Sequence, residues 1–144
     1  MRISAKAEYA CVAMMELAAN YQEAQPVRIK AIAEAQGIPQ RFLVQILLQL
    51  KTAGLVASVR GASGGYQLAR APDSISLAEV ITAIDDRTLT PRSALPEDTR
   101  SPLVGALLTV WREVQTEEQR HLERLTLAEL LRRSQQSSSL SYQI

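Results

Sequence analysis

The stretch SVRGASGGYQLAR, residues 58–70, sets Gly61, Gly64 and Gly65 within five positions and puts Arg60 near one end and Arg70 at the other. Glycine takes backbone conformations that other residues avoid, and without a Cβ it lets a main chain come very close to another group. An arginine beside such a bare tip adds a permanent positive charge and a fork of N–H donors. This combination suits close non-covalent contact with a partner's surface. Bond-making chemistry has little support: no nucleophile is spaced with a base, no phosphate-binding loop occurs, and no carboxylates cluster. The chain has one cysteine, Cys11, and one histidine, His121. Cys11 lies near an apolar helical stripe and reads as a small buried hydrophobe. His121 stands among Glu117, Glu118 and Glu123 and reads as a solvated or dimer-seam residue, because a metal ligand needs companions.

The glycine stretch sits between LVASV and YQLAR, which alternate like half-buried strands, so it reads as the tip of a β-hairpin. Upstream, apolar residues at Ile3, Ala7, Ala10, Met14, Leu17, Ala18 and Tyr21 recur at three and four, giving an amphipathic helix over 4–21 with Ser4 as N-cap. After Pro26 a short helix with Ile29, Ile32 and Ala33 inward stops at Gly37. Pro39 restarts a helix over 40–52 with Phe42, Leu43, Ile46, Leu47 and Leu50 facing the core, and Gly54 ends it. Two short helices joined by a tight glycine turn outline a helix-turn-helix. Three helices followed by a hairpin make a winged helix, so the fold class is mainly α, with a β-hairpin wing.

Ser76 and Glu79 form a capping box for a further helix through about Ile84. Residues 85–102, with three prolines and seven charged residues, read as a loop. From there Val104, Leu107, Leu108, Trp111, Val114, Glu118, Leu122 and Leu125 recur at three or four over roughly six turns. A helix of that length outreaches a small winged domain, and its apolar stripe is most simply covered by a second copy of itself. Thr126 and Glu129 restart a short helix to about Arg133, and the serine-rich residues 134–144 read as a disordered tail.

Length and composition fit this picture. A chain of 144 residues, nearly half of them apolar, supports one domain with an appendage. No apolar run reaches the ~18 residues of a membrane span. Glu8 and Glu16 interrupt the N-terminal apolar pattern and argue against a secretory signal. One cysteine excludes an internal disulfide framework and suits a reducing cytoplasm. The formal charge of +1 is unevenly spread: residues 1–75 carry eight Lys/Arg against five acids, a net +3, and the remainder carries eight against ten, a net −2. The basic excess therefore shares the N-terminal half with the glycine hairpin.

The segments MRISAKAEYACVAMMELA, IAEAQGIPQRFLVQIL, GLVASVRGASGGYQLAR, ISLAEVITAID and LTLAELL together resemble the IscR/NsrR/CymR family of bacterial winged-helix transcription regulators, the Rrf-two type. The resemblance runs from Met1 to about Arg133, is most specific over Gly54 to Arg70, and breaks only across the 86–102 loop. It implies a winged helix-turn-helix domain over 1–84 and a homodimer whose long helix crosses its partner. Two wings and two reading helices would then meet a roughly palindromic operator in double-stranded DNA, as two-fold symmetry requires.

Within that frame the 40–52 helix would enter the major groove by its N-terminal end, where Gln40, Arg41, Val44 and Gln45 face outward. Arginine pairs bidentately with guanine, glutamine with adenine, and Val44 suits a thymine methyl. Iron-sulfur members often have glutamate where this chain has Val44, so their operator sequence does not carry over. Gly61, Gly64 and Gly65 would let the wing ride against a phosphate or into the minor groove, with Arg60 entering the groove. Arg2, Ser4 and Lys6 have types that hold phosphates. Arg28 and Lys30 read equally as a solvated face or as backbone contacts. Tyr66 reads as a packing residue rather than a base stacker. Val104, Leu107, Leu108, Trp111, Val114 and Leu122 would form the dimer seam.

Many relatives hold an iron-sulfur cluster through three cysteines before the long helix. The corresponding positions here fall on Ser93, about Thr99, and Gly105, with Leu108 where a fourth ligand would stand, and none can replace a thiolate. The resemblance thus implies a regulator, most often a repressor, with no cofactor of its own, answering to a protein partner or a small ligand. Two other classes fit parts of the sequence. One is an iron-sulfur or redox sensor using Cys11 and ligands from a partner chain. The other is a protein-interaction adaptor that keeps the winged fold without binding DNA, which the small net charge and Val44 favour.

Overall fold

The hydroxyl of Ser4 accepts the N–H of Ala7 at 3.0 Å and opens α1, Ala5–Ala19, in the computed structural model, which describes residues 1–23, 25–85 and 93–142. Its inward face is Ala7, Ala10, Ala13, Met14, Leu17 and Ala18. Four alanines on one stripe let neighbouring helices approach closely, which makes α1 the central helix, touching four others. Ile3 and Tyr21, assigned to that stripe from the sequence, flank the helix and are exposed. Next, α2 (Ile29–Gln36) ends at Gly37, whose φ of 68° is left-handed. Then α3 (Gln40–Thr52) buries Leu43, Ile46, Leu47 and Leu50 completely. Each such aliphatic side chain removed from water contributes about 1.5–3 kcal/mol. Those four, with Met14, Leu17, Ile32, Ile75, Val80 and Leu127, form one core.

Phe42 departs from the expected pattern: it is 42% exposed. One residue before Leu43, it sits about 100° around the helix from the core-facing stripe.

The wing is β1 (Val56–Val59) paired antiparallel with β2 (Gly65–Leu68), in the register Val56 to Leu68 through Val59 to Gly65. Tyr66 and Val27 exchange two backbone hydrogen bonds of 2.8 Å, so the chain entering α2 is laced to the hairpin. Tyr66 packs half-buried against the core, as its type and place suggest. At the other edge Lys51 donates to Ser58 Oγ at 2.7 Å and fixes the wing to the end of α3.

The capping box of Ser76 and Glu79 opens α4 (Leu77–Ile84). Arg70 completes it by donating to both Glu79 carboxylate oxygens at 2.9 Å and to the Ser74 carbonyl. Burial works to raise the Glu79 carboxyl, but the Ser76 N–H and the Arg70 guanidinium outweigh it and hold it below its ordinary value. The two arginines bracketing the glycine stretch thus differ: Arg70 fastens the domain, while Arg60 has no such partner among the described residues.

A single 3-10 turn, Glu97–Thr99, precedes α5 (Pro102–Arg124), and α6 covers Leu127–Tyr142. The starts of α4 and α6 are pinned together, since the Leu77 N–H donates to Leu125 O and the Leu127 N–H to Ile75 O. Two expectations are corrected here. The segment 134–142, read as tail, continues α6. Once a helix is nucleated each further residue adds a bond at little cost, and no glycine or proline intervenes. Glu129 supports that start by pairing with both Arg132 and Arg133, which pull its carboxyl down to about 2. Leu122, assigned to the dimer seam, is instead buried inside the chain with Ala78 and Ile81, and it is the single buried residue among the 23 of α5. The loop read over 85–102 falls partly on residues 86–92, outside the described residues.

Candidate nucleic-acid interface

Helix periodicity turns one side of α3 away from the core. Gln40, Arg41, Val44 and Gln45 are all exposed on it, Val44 by 50%. Leu48, one turn beyond Val44, is 59% exposed and extends the same stripe, although its apolar type disguised it in the sequence. Phe42 joins this surface as well. Its ring carries the Arg41 guanidinium 5.0 Å above the centroid and leans on Tyr9 of α1, centroid to centroid 6.1 Å.

The wing stands on this side of the molecule. Arg28, Gln40, Ser58, Val59, Gly61 and Gly65 line one open groove, so the entry to α2, the first residue of α3 and the glycine tip share a concave surface. The three glycines have separate tasks. A Cβ on Gly64 would stand 2.2 Å from the Val59 carbonyl oxygen, and one on Gly65 2.5 Å from the Val27 carbonyl oxygen. Gly65 also has a φ of +152°. Both are therefore required by the hairpin's own packing, and both also line the open groove. Gly61, with φ +106° and nothing within 4 Å of where a Cβ would stand, is the one whose bareness faces outward.

Some cations are paired and others are not, and the division does not follow the halves of the chain: Arg70 is paired, whereas Arg112 and Arg124 of α5 make no ion pair with a described residue. Arg2, Lys6, Arg28, Arg41 and Arg60 make no ion pair or side-chain hydrogen bond with any described residue. By contrast Arg70, Arg100, Arg120, Arg132 and Arg133 each pair with a glutamate. Lys30 is intermediate, 4.0 Å from Glu34 with both side chains largely in water. Ser4 is already committed: its hydroxyl caps α1 and donates to Asp85 at 2.8 Å, so the phosphate role expected of that hydroxyl is reassigned to holding the helix start.

On α5 a different surface is open. Leu103, Leu107, Val110, Trp111 and Val114 follow one helical face and are 48–81% exposed, with Val104 and Leu108 half-buried beside them. Leu103 and Val110 were not singled out in the sequence, though their spacing from Leu107 and Trp111 is that of one stripe.

A helix-turn-helix with a hairpin wing and a long appended helix defines the class of winged-helix transcription regulators. Within it the chain belongs to the Rrf2 family, whose model, described as iron-dependent transcriptional regulator, matches residues 3–133. A Mycobacterium tuberculosis protein described as an HTH-type transcriptional regulator is 44% identical over 131 residues, 90% of this chain and 81% of that one. CymR of B. subtilis, the global cysteine regulator, superposes with a TM-score of 0.79 at 31% identity, over 91% of this chain and 96% of that one. The T. potens IscR structure gives 0.76 at 34% identity, covering 95% and 90%. These relatives are transcription regulators rather than enzymes. No helix of the described residues is long and apolar enough to cross a membrane.

The donor set does not fit an iron-sulfur cluster. The sequence has one cysteine, and Ser93, Thr99, Gly105 and Leu108 offer no thiolate. The Cys11 thiol packs beside Ala78, Ile81 and Leu122, and burial, followed by the charge of Glu8, pushes it up to about 11. Such a thiol is a poor ligand at neutral pH. His121 is exposed on α5, and no three His, Cys, Asp or Glu side chains gather among the described residues.

Proposed function

We propose that the chain binds double-stranded DNA sequence-specifically, as a homodimer, and represses by occupying a palindromic operator. The observation that carries this is the coincidence of unpaired cations with a shaped surface. Arg28, Gln40 and the bare Gly61 share one groove, and Arg41 and Arg60, each next in sequence to a residue that lines it, have no counter-charge among the described residues. Leaving cations unpaired stabilises nothing in the free protein, whereas DNA phosphates supply the missing charges and release counterions on binding. In this reading Arg2, Lys6 and Arg28 meet phosphates and fix register. Arg41, Val44 and Gln45 read base edges in the major groove. Arg60 enters the minor groove from the wing, where narrow stretches concentrate negative potential. The exposed α5 stripe closes on its symmetry mate, which sets two reading helices at the spacing of a palindrome. Regulation comes from a protein partner or a small ligand, since the donor set holds no cluster.

The test is a pair of substitutions measured by band shift on operator and random duplex. Arg60→Ala should weaken operator binding by about 1–3 kcal/mol. Arg41→Ala should narrow the gap between operator and random DNA more than it lowers binding to random DNA. Equal losses on both duplexes for Arg41→Ala would overturn its role in readout.

A further inference from the structure

Phe42 is costly where it stands. It occupies the first turn of α3 with 42% of the residue exposed, forgoing much of what burial of an aromatic side chain contributes. The ring is nevertheless engaged on two sides, by Tyr9 of α1 and by the Arg41 guanidinium. Among the described residues that ring is the only polar or aromatic partner Arg41 has.

We infer that Phe42 is a positioning residue for base readout, with Tyr9 bracing its ring from α1 and the ring holding Arg41 extended for the groove. The inference rests on the DNA-binding reading above and adds to it how specificity is built. A cation over an aromatic face is attracted by the ring quadrupole. A guanidinium held over a ring by its charge can still offer N–H donors, two of which a guanine could take without the contact being broken. An unheld arginine, by contrast, must give up its rotamer freedom as it binds. The ring therefore meets that ordering cost during folding, before DNA arrives.

A double-mutant cycle tests this. The probe is a duplex selected by the wild-type protein from a randomised library, set against a scrambled duplex of equal length. Phe42→Leu should reduce the selected-over-scrambled preference about two- to fivefold, and Phe42→Tyr should retain it. In an Arg41→Ala background Phe42→Leu should change the preference no further. If Phe42→Leu lowers the melting temperature, Phe42→Met enters the same cycle, since it keeps the bulk and removes the ring. Additive losses in the cycle, or an unchanged preference in Phe42→Leu, would overturn the inference by assigning Phe42 to direct contact or to plain packing. Failure of the wild-type protein to select any duplex would instead withdraw the DNA-binding reading beneath it.

Discussion

Trp111→Glu is expected to leave the chain folded and monomeric. Trp111 is 48% exposed on α5, flanked along the same face by Leu107, Val110 and Val114, and it takes no part in the buried clusters that hold the subunit together. Its replacement should therefore barely move the circular dichroism spectrum of a subunit. In a two-fold interface the change occurs twice and faces itself or its near neighbours. Burying such a charge without a partner, on top of losing an aromatic anchor, should weaken association by about 4 kcal/mol or more, roughly a thousandfold. Analytical ultracentrifugation would show a dimer becoming a monomer, with binding to a full palindrome falling to that of a half-site. A variant that sediments as wild type would show that this stripe is not the seam. Leu122→Glu is a useful contrast: Leu122 packs against Ala78 and Ile81 within the subunit, so that variant should unfold at lower temperature.

The second large effect is expected at Gly65. A methyl group there would meet the Val27 carbonyl oxygen at 2.5 Å and the Val27 carbonyl carbon at 2.7 Å, on a backbone whose φ of +152° already disfavours any other residue. Those contacts are main chain and cannot swing aside. Because Val27 and Tyr66 are joined by two 2.8 Å hydrogen bonds, relief of the clash must open that ladder. Gly65→Ala should cost about 2–4 kcal/mol in denaturant unfolding and loosen the wing against α2. Gly61→Ala has open space around it and retains only the backbone strain, so its cost should be nearer ~1 kcal/mol. Equal costs at the two positions would contradict the division of labour drawn for them.

Much of the fold was legible because its signals are local. Ser4, Gly37 and the Ser76–Glu79 box mark helix ends through their own backbone chemistry, and each does so in the structure. Strand alternation around the glycines gave the hairpin for the same reason. What escaped depends on neighbours that spacing does not reveal. Phe42 looked like a core residue by type, yet it lies just off the buried stripe and finds Tyr9 and Arg41 instead. Leu122 matched the periodicity of the α5 stripe, but helical drift carries its end of the helix onto α4. Gly64 and Gly65 were visible as glycines, while the carbonyls they make room for were not. The polar end of α6 lacked an apolar pattern, though nothing in it stops a helix already begun.

The outward set on α3 was readable because Leu43, Ile46, Leu47 and Leu50 leave only one side for Gln40, Arg41, Val44 and Gln45. The pairing state of the cations was not. Arg60 and Arg70 are alike in sequence, ten residues apart, yet one is held by Glu79 and the other by nothing among the described residues. That difference turns a formal charge of +1 into a usable local surplus.

The most direct measurement is the salt dependence of binding to the selected palindromic duplex. With Arg2, Lys6 and Arg28 of each subunit on phosphates, the logarithm of the association constant should fall linearly against the logarithm of salt concentration with a slope of about −5, near −0.9 per phosphate neutralised. An affinity that stays level from low to physiological salt would contradict it, because no unpaired cation would then be finding its counter-charge on DNA.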